Sequence, residues 1–103
     1  MQVGDIVKLT VPLLNNPMGT IGICYERYVI GDRMGSSFIF ENGHYDGFSP
    51  EEQKQMLEYL GHENGIAWYN FVNVMRLSLD FNSGVFEPHF DFWKSYLEAK
   101  ESK

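Results

Sequence analysis

Three histidines, one cysteine and fourteen carboxylates are the side chains through which this 103-residue chain could do chemistry. His44, His62 and His89 lie far apart, and none forms the i, i+4 pair that places two metal ligands on one helical face. Each reads as a solvated turn or loop histidine, and no metal or other cofactor is expected. The run His44-Tyr45-Asp46-Gly47 holds an imidazole and a carboxylate close enough for acid–base work, but Asp46-Gly47 is also an ordinary turn pair, and a turn is the expectation. Cys24 sits in an alternating apolar segment, where a thiol acts as a small buried hydrophobe. Ser36 and Ser37 have no nearby base with an orienting acid. No catalytic residue is assigned.

Aromatic side chains give a more promising pattern. Flat rings supply contact area at low conformational cost, and Tyr25, Tyr28, Tyr45, Trp68 and Tyr69 are candidates for a partner-binding surface on the strands. Phe92, Trp93 and Tyr96 form a second candidate surface: at about 100° per residue they share one arc with Phe90 and Leu97, opposite Asp91, Lys94, Ser95 and Glu98. That face must dock, on its own domain or on a second copy of the chain as a homo-oligomer contact. A domain this small also needs its large residues for burial, so part of both sets is expected in the core.

Charge narrows the partner. Eight Lys and Arg against 14 Asp and Glu leave a net charge of -6, the wrong sign for tracking a phosphate backbone, so direct nucleic-acid binding is not expected. No apolar run approaches the ~18 residues of a membrane span, and Met1-Gln2-Val3-Gly4-Asp5 does not open like an export signal. With one cysteine and no intramolecular disulfide, a cytoplasmic setting is the expectation.

The elements that must position these residues follow from periodicity and punctuation. Val3 to Thr10 alternates as a first strand, with Val3, Asp5, Val7 and Leu9 on one side. Asn15-Asn16-Pro17-Met18-Gly19 is a loop in which Gly19 is expected at positive φ. Thr20 to Ile30 alternates again, with Ile21, Ile23 and Tyr25 on one side and Gly22, Cys24, Glu26 and Tyr28 on the other; Gly22 is a candidate bulge. Gly31 to Gly35 turns the chain into a short strand at Ser37–Glu41. Ser49-Pro50-Glu51-Glu52 carries a capping box with proline at the first helical position. A helix over 50–60 is predicted, with Met56, Leu57 and Leu60 as its buried stripe and Gly61 as its stop. Residues 67–79 have β character with a break near Met75-Arg76, and a C-terminal helix is expected at about 89–100.

Val3-Gly4-Asp5-Ile6-Val7-Lys8-Leu9, followed by a loop and Gly19-Thr20-Ile21-Gly22-Ile23, resembles the opening of small SH3-like barrels, including the KOW type. The resemblance implies a mainly β single domain over 1–103: a partly closed barrel of about five antiparallel strands, the 50–60 helix inserted between the third and fourth, and the C-terminal helix appended. The expected function is non-enzymatic binding of a protein partner. A second reading is an acidic inhibitor or immunity-type protein that occludes a basic nucleic-acid-binding or nuclease surface. A third is a small enzyme or ligand-binding protein built on the His44 to Asp46 segment.

Overall fold

The computed structural model describes residues 2–13, 15–41, 44–63, 76–77 and 79–80. Five strands and one helix follow in chain order: β1 (Asp5–Leu9), β2 (Ile21–Ile30), β3 (Arg33–Phe40), β4 (Tyr45–Phe48), α1 (Pro50–Met56) and β5 (Leu57–His62). The strands form one antiparallel sheet in the order β4-β3-β2-β1-β5. Four strands run as a meander, and the fifth returns to pair with the first. In place of the expected barrel, the described residues form an open sheet whose edges are β4 and β5. The helix α1 connects those edges and packs against β3, β4 and β5.

Both faces of the central strands are apolar. On the inner face Val7, Leu9, Cys24, Phe38, Phe40, Phe48 and Leu57 form one buried cluster, with Leu13 and Met56 packed against it. Phe48 meets Phe38 and Phe40 edge-on at centroid distances of 5.6 and 6.1 Å, the geometry that ring quadrupoles favour. On the outer face Ile6, Ile21, Ile23 and Ile39 are at most 1% exposed, and Ile6–Ile23 and Ile23–Ile39 are direct cross-strand pairs. Each such side chain contributes about 1.5–3 kcal/mol by leaving water, so β1, β2 and β3 are held from both sides.

The β2–β3 connection is tighter than the sequence suggests. Ile30 pairs with Arg33, leaving a two-residue turn in which Gly31 takes φ 62°. Positive φ at that position matches the turn twist to the strand twist, and β3 can therefore begin at Arg33 rather than Ser37. Gly19 has φ 97° as expected, and its amide donates to the Leu9 carbonyl at 2.8 Å, prolonging the β1–β2 hairpin into the loop.

The capping box of α1 is present in both directions. Ser49 Oγ accepts from the Glu52 amide at 3.2 Å, and Glu52 Oε1 accepts from the Ser49 amide at 2.9 Å. The helix is shorter than predicted. It stops at Met56, and Leu57 to Leu60 belong to β5, because Leu57 reaches the inner core only as an extended residue opposite Leu9. Gly61 is accordingly a strand residue, and the helix lies between the fourth and fifth strands. Asp46-Gly47, read as a turn, lies within a strand, Tyr45–Phe48, paired along β3.

Most of the expected 67–79 strand lies outside the described residues. Arg76, Leu77, Leu79 and Asp80 are helical instead, and Arg76 Nε donates to Asp80 Oδ2 at 3.2 Å across one turn. The predicted helix at about 89–100 lies outside the described residues.

Candidate functional site

A bulge in β2 at Tyr25 creates the surface of greatest interest. Without it, Glu26 and Tyr28 would follow Cys24 into the inner core. The inserted residue resets the alternation: Cys24 opposes Phe38, whereas Glu26 opposes Ser37 and Tyr28 opposes Gly35. Gly35 and Ser37 lie on the face of Ile39, so Glu26 and Tyr28 pass to the outer face. Tyr45 of β4 opposes Ile39 and emerges on that same face. Bulges re-aim side chains in this way. Gly22, the expected bulge, has a different use: a Cβ there would lie 2.7 Å from the Phe40 ring, which covers it.

Three sequence candidates are thereby brought together. Tyr25 and Tyr45 meet edge-on, with centroids 6.5 Å apart and planes at 89°. Tyr28 lies across two glycines. A Cβ on Gly35 would be 2.7 Å from its Cζ, and a Cβ on Gly47 would collide with its hydroxyl. The phenol end of the ring thus lies close against the backbones of β3 and β4, and both glycines are needed for that close approach. Tyr25 and Tyr28 are half-buried, and Tyr45 is 59% exposed. The remaining candidates, Trp68, Tyr69, Phe92, Trp93 and Tyr96, lie outside the described residues.

Negative charge acts on two of the rings. Burial raises the Tyr28 phenol above its ordinary pKa, and the negative charges of Glu52, Asp46 and Glu26 raise it further. Burial also raises Tyr25; the Ser37 hydroxyl opposes that shift and Glu26 adds to it. Asp46 Oδ1 accepts from the Gly47 amide at 2.8 Å; Asp46 itself pairs with Phe38, so its side chain leaves β4 on the face opposite to that of Tyr45. Several cations lie in ion pairs: Lys8 with Glu58 at 3.2 Å, Arg33 with Glu51, and Arg76 with Asp80.

The titratable groups elsewhere are placed differently from the sequence reading. His62 is a strand residue, and its Nδ1 lies 2.7 Å from Asp5 Oδ1. Asp5 Oδ2 accepts from the Gln2 amide at 2.7 Å. The carboxylate, 7% exposed as a residue, has a partner on each oxygen, as burial requires. Cys24 is buried, as expected. Burial pushes its thiol up to about 11, with the Glu26 backbone acting the other way and Asp5 adding to the rise, so the sulfur is protonated at neutral pH. His44 is exposed at the start of β4, and Asp46 lies on the strand rather than in a loop. His89 lies outside the described residues.

No protein-family model, curated protein or solved structure matches this chain. The surface therefore rests on its own geometry. Sequence reasoning missed Glu26 beside the rings and Gly35 and Gly47 beneath Tyr28. One signal was available: glycines at 35 and 47 flank a strand that must pair with the tyrosine-bearing segment before it, and a sheet glycine often marks a ring lying over the backbone.

Proposed function

We propose that this chain is a non-enzymatic protein-interaction domain of SH3-like build, and that it receives its partner on the outer face of β2, β3 and β4. The observation that carries the reading is the convergence of Tyr25, Tyr28 and Tyr45 on one face, with one ring packed closely against two glycines and another largely in water. Rigid, partly exposed tyrosines on a sheet are what a recognition surface uses. A meander whose last strand returns to the first supports the SH3-like build.

The net charge of -6, with Glu52, Asp46 and Glu26 all acting on the Tyr28 phenol through their negative charge, favours a second reading, an acidic inhibitor that steers onto and occludes a basic nucleic-acid-binding or nuclease surface. Whole-domain occlusion needs a folded basic partner, whereas the first reading is satisfied by a short segment.

Selection from a random peptide display library tests the first reading. Enriched peptides are expected to lose at least about tenfold in affinity for Tyr28→Ala and Tyr45→Ala variants that keep the parent melting temperature. Peptides indifferent to both changes, or no enrichment, would count against it.

A further inference from the structure

We infer that the free edge of β2 at residues 27–29 takes up an extended segment of a partner protein as an added antiparallel strand, which sets an apolar side chain beside Val29 and a carboxylate beside Arg27. This edge of β2 faces away from β3 and β4, so the inference goes beyond the tyrosine reading.

The hairpin of β2 and β3 outreaches its neighbours. β1 pairs with β2 only at residues 21–23, and one further bond runs from the Gly4 amide to the Cys24 carbonyl at 2.8 Å. There the chain turns, with Gly4 at φ 100° and the Asp5 amide bonded to the Gln2 carbonyl at 3.0 Å. Over residues 25–30, β2 pairs with β3 alone among the described strands.

Register fixes where the backbone of this arm points. The Glu41 amide donates to the Ile21 carbonyl on the β2 side, and the Phe40 amide to the His44 carbonyl on the β4 side. Alternate residues of an antiparallel strand bond to opposite neighbours, so Ser37, Gly35 and Arg33 bond toward β2. Their partners Glu26, Tyr28 and Ile30 bond toward β3. Arg27 and Val29, between them, direct their N–H and C=O groups away from β3, to an edge that no described strand occupies. A row of such groups is a template for one more strand.

The side chains of the same residues define what that strand carries. Arg27 opposes Ser36 and Val29 opposes Met34, so they leave β2 on the face of Phe38. Val29 and Met34 are 69% and 40% exposed, an apolar cross-strand pair standing in water. Lys8, Arg33 and Arg76 are held in ion pairs, whereas the exposed Arg27 has none among the described residues. An antiparallel addition places one partner residue opposite Val29 and the residue two further on opposite Arg27, both on this face. A β-branched residue at the first position and glutamate at the second satisfy both, since apolar and opposite-charge cross-strand pairs stabilise a ladder. A second copy of this chain pairing edge to edge about Tyr28 would set Arg27 against Val29 and leave the cation unanswered.

Fluorescence anisotropy with a labelled peptide, Thr-Val-Thr-Glu-Thr between Gly-Ser flanks, tests the inference. N-methylation of its Val or its Glu removes a donor aimed at the Val29 or Arg27 carbonyl and should weaken binding by at least about tenfold. N-methylation of the Thr between them should be tolerated, because that amide points away from β2. Arg27→Glu should weaken binding of the parent peptide and favour the peptide carrying Lys in place of Glu, with thermal unfolding as the folding control. Equal affinity of the parent and both N-methylated peptides would overturn the inference, as would the absence of saturable binding. Concentration-dependent self-association abolished by Arg27→Glu would assign the edge to a second copy and overturn it too. Display-selected peptides that require Tyr28 and Tyr45 yet tolerate N-methylation at every position would uphold the tyrosine reading and sink strand addition. Peptides that lose affinity on N-methylation and ignore both tyrosines would do the reverse.

Discussion

At Gly22 a methyl group would sit 2.7 Å from the Phe40 ring, and Phe40 is packed against Phe48 with almost no exposure, so the ring has little room to retreat. Gly22→Ala should cost about 1–3 kcal/mol of unfolding free energy by overpacking. Adding Phe40→Leu should recover part of that loss in a double-mutant cycle followed by urea unfolding. Additive costs would mean that the two residues do not touch. Cys24 supplies a second test. Its thiol goes from an ordinary value of 9.0 to about 11 in the folded chain, so between those values the unfolded state has lost the proton that the native state keeps. The contribution is complete below pH 9 and is lost as pH rises toward about 11, a fall of up to about 2.7 kcal/mol at 1.36 kcal/mol per unit. Tyr25 and Tyr28 are shifted in the same direction and add to the alkaline loss. Cys24→Ala should start less stable, through lost packing, and lose less over that interval when denaturant midpoints are compared. An equal loss in parent and variant would show that the thiol does not report its burial.

The start of α1 was legible because a capping box is local: Ser49, Pro50 and Glu52 stand within one turn of each other. The end of the helix was not, since Leu57 is claimed by Leu9 of a strand far away in the chain. Seven residues with none buried make a helix with little intrinsic stability, so the cap matters more than usual. Ser49→Ala should cost about 1 kcal/mol in equilibrium unfolding, and Ser49→Asp should restore most of it. No change with alanine would mean that docking alone holds α1. The strands divide in the same way. Alternation placed the faces of β1, and of β2 as far as Cys24. It then failed after Tyr25, at Glu26 and Tyr28, because one inserted residue in a bulge leaves no mark in composition but reverses every side chain after it. In β4, Asp46-Gly47 gives a strong turn signal that ladder pairing to β3 overrides. His62 looked like a solvated loop residue because its partner, Asp5, meets it only through the β1–β5 ladder.

At the scale of the whole molecule, the open sheet is closed to water over its central strands on both faces, while the outer face of β2, β3 and β4 carries tyrosines at partial exposure. The aromatic candidates Tyr25, Tyr28 and Tyr45 were legible as residue types; their convergence was not, because it depends on the bulge and on two glycines in different strands. Charge was legible as a sum of -6, and its placement only from the fold: Glu51 and Glu58 are taken up in ion pairs, whereas Glu26 stands on the outer face two residues from Tyr28. The claim that joins these levels is that partners are received on the tyrosine face. The most direct measurement is a backbone amide shift titration of the isotope-labelled protein with a display-selected peptide. The account predicts saturable shifts concentrated at residues 25–28, 35–37 and 45–47. Saturable shifts confined to other strands or to the 10–20 loop, with those three stretches unmoved, would contradict it.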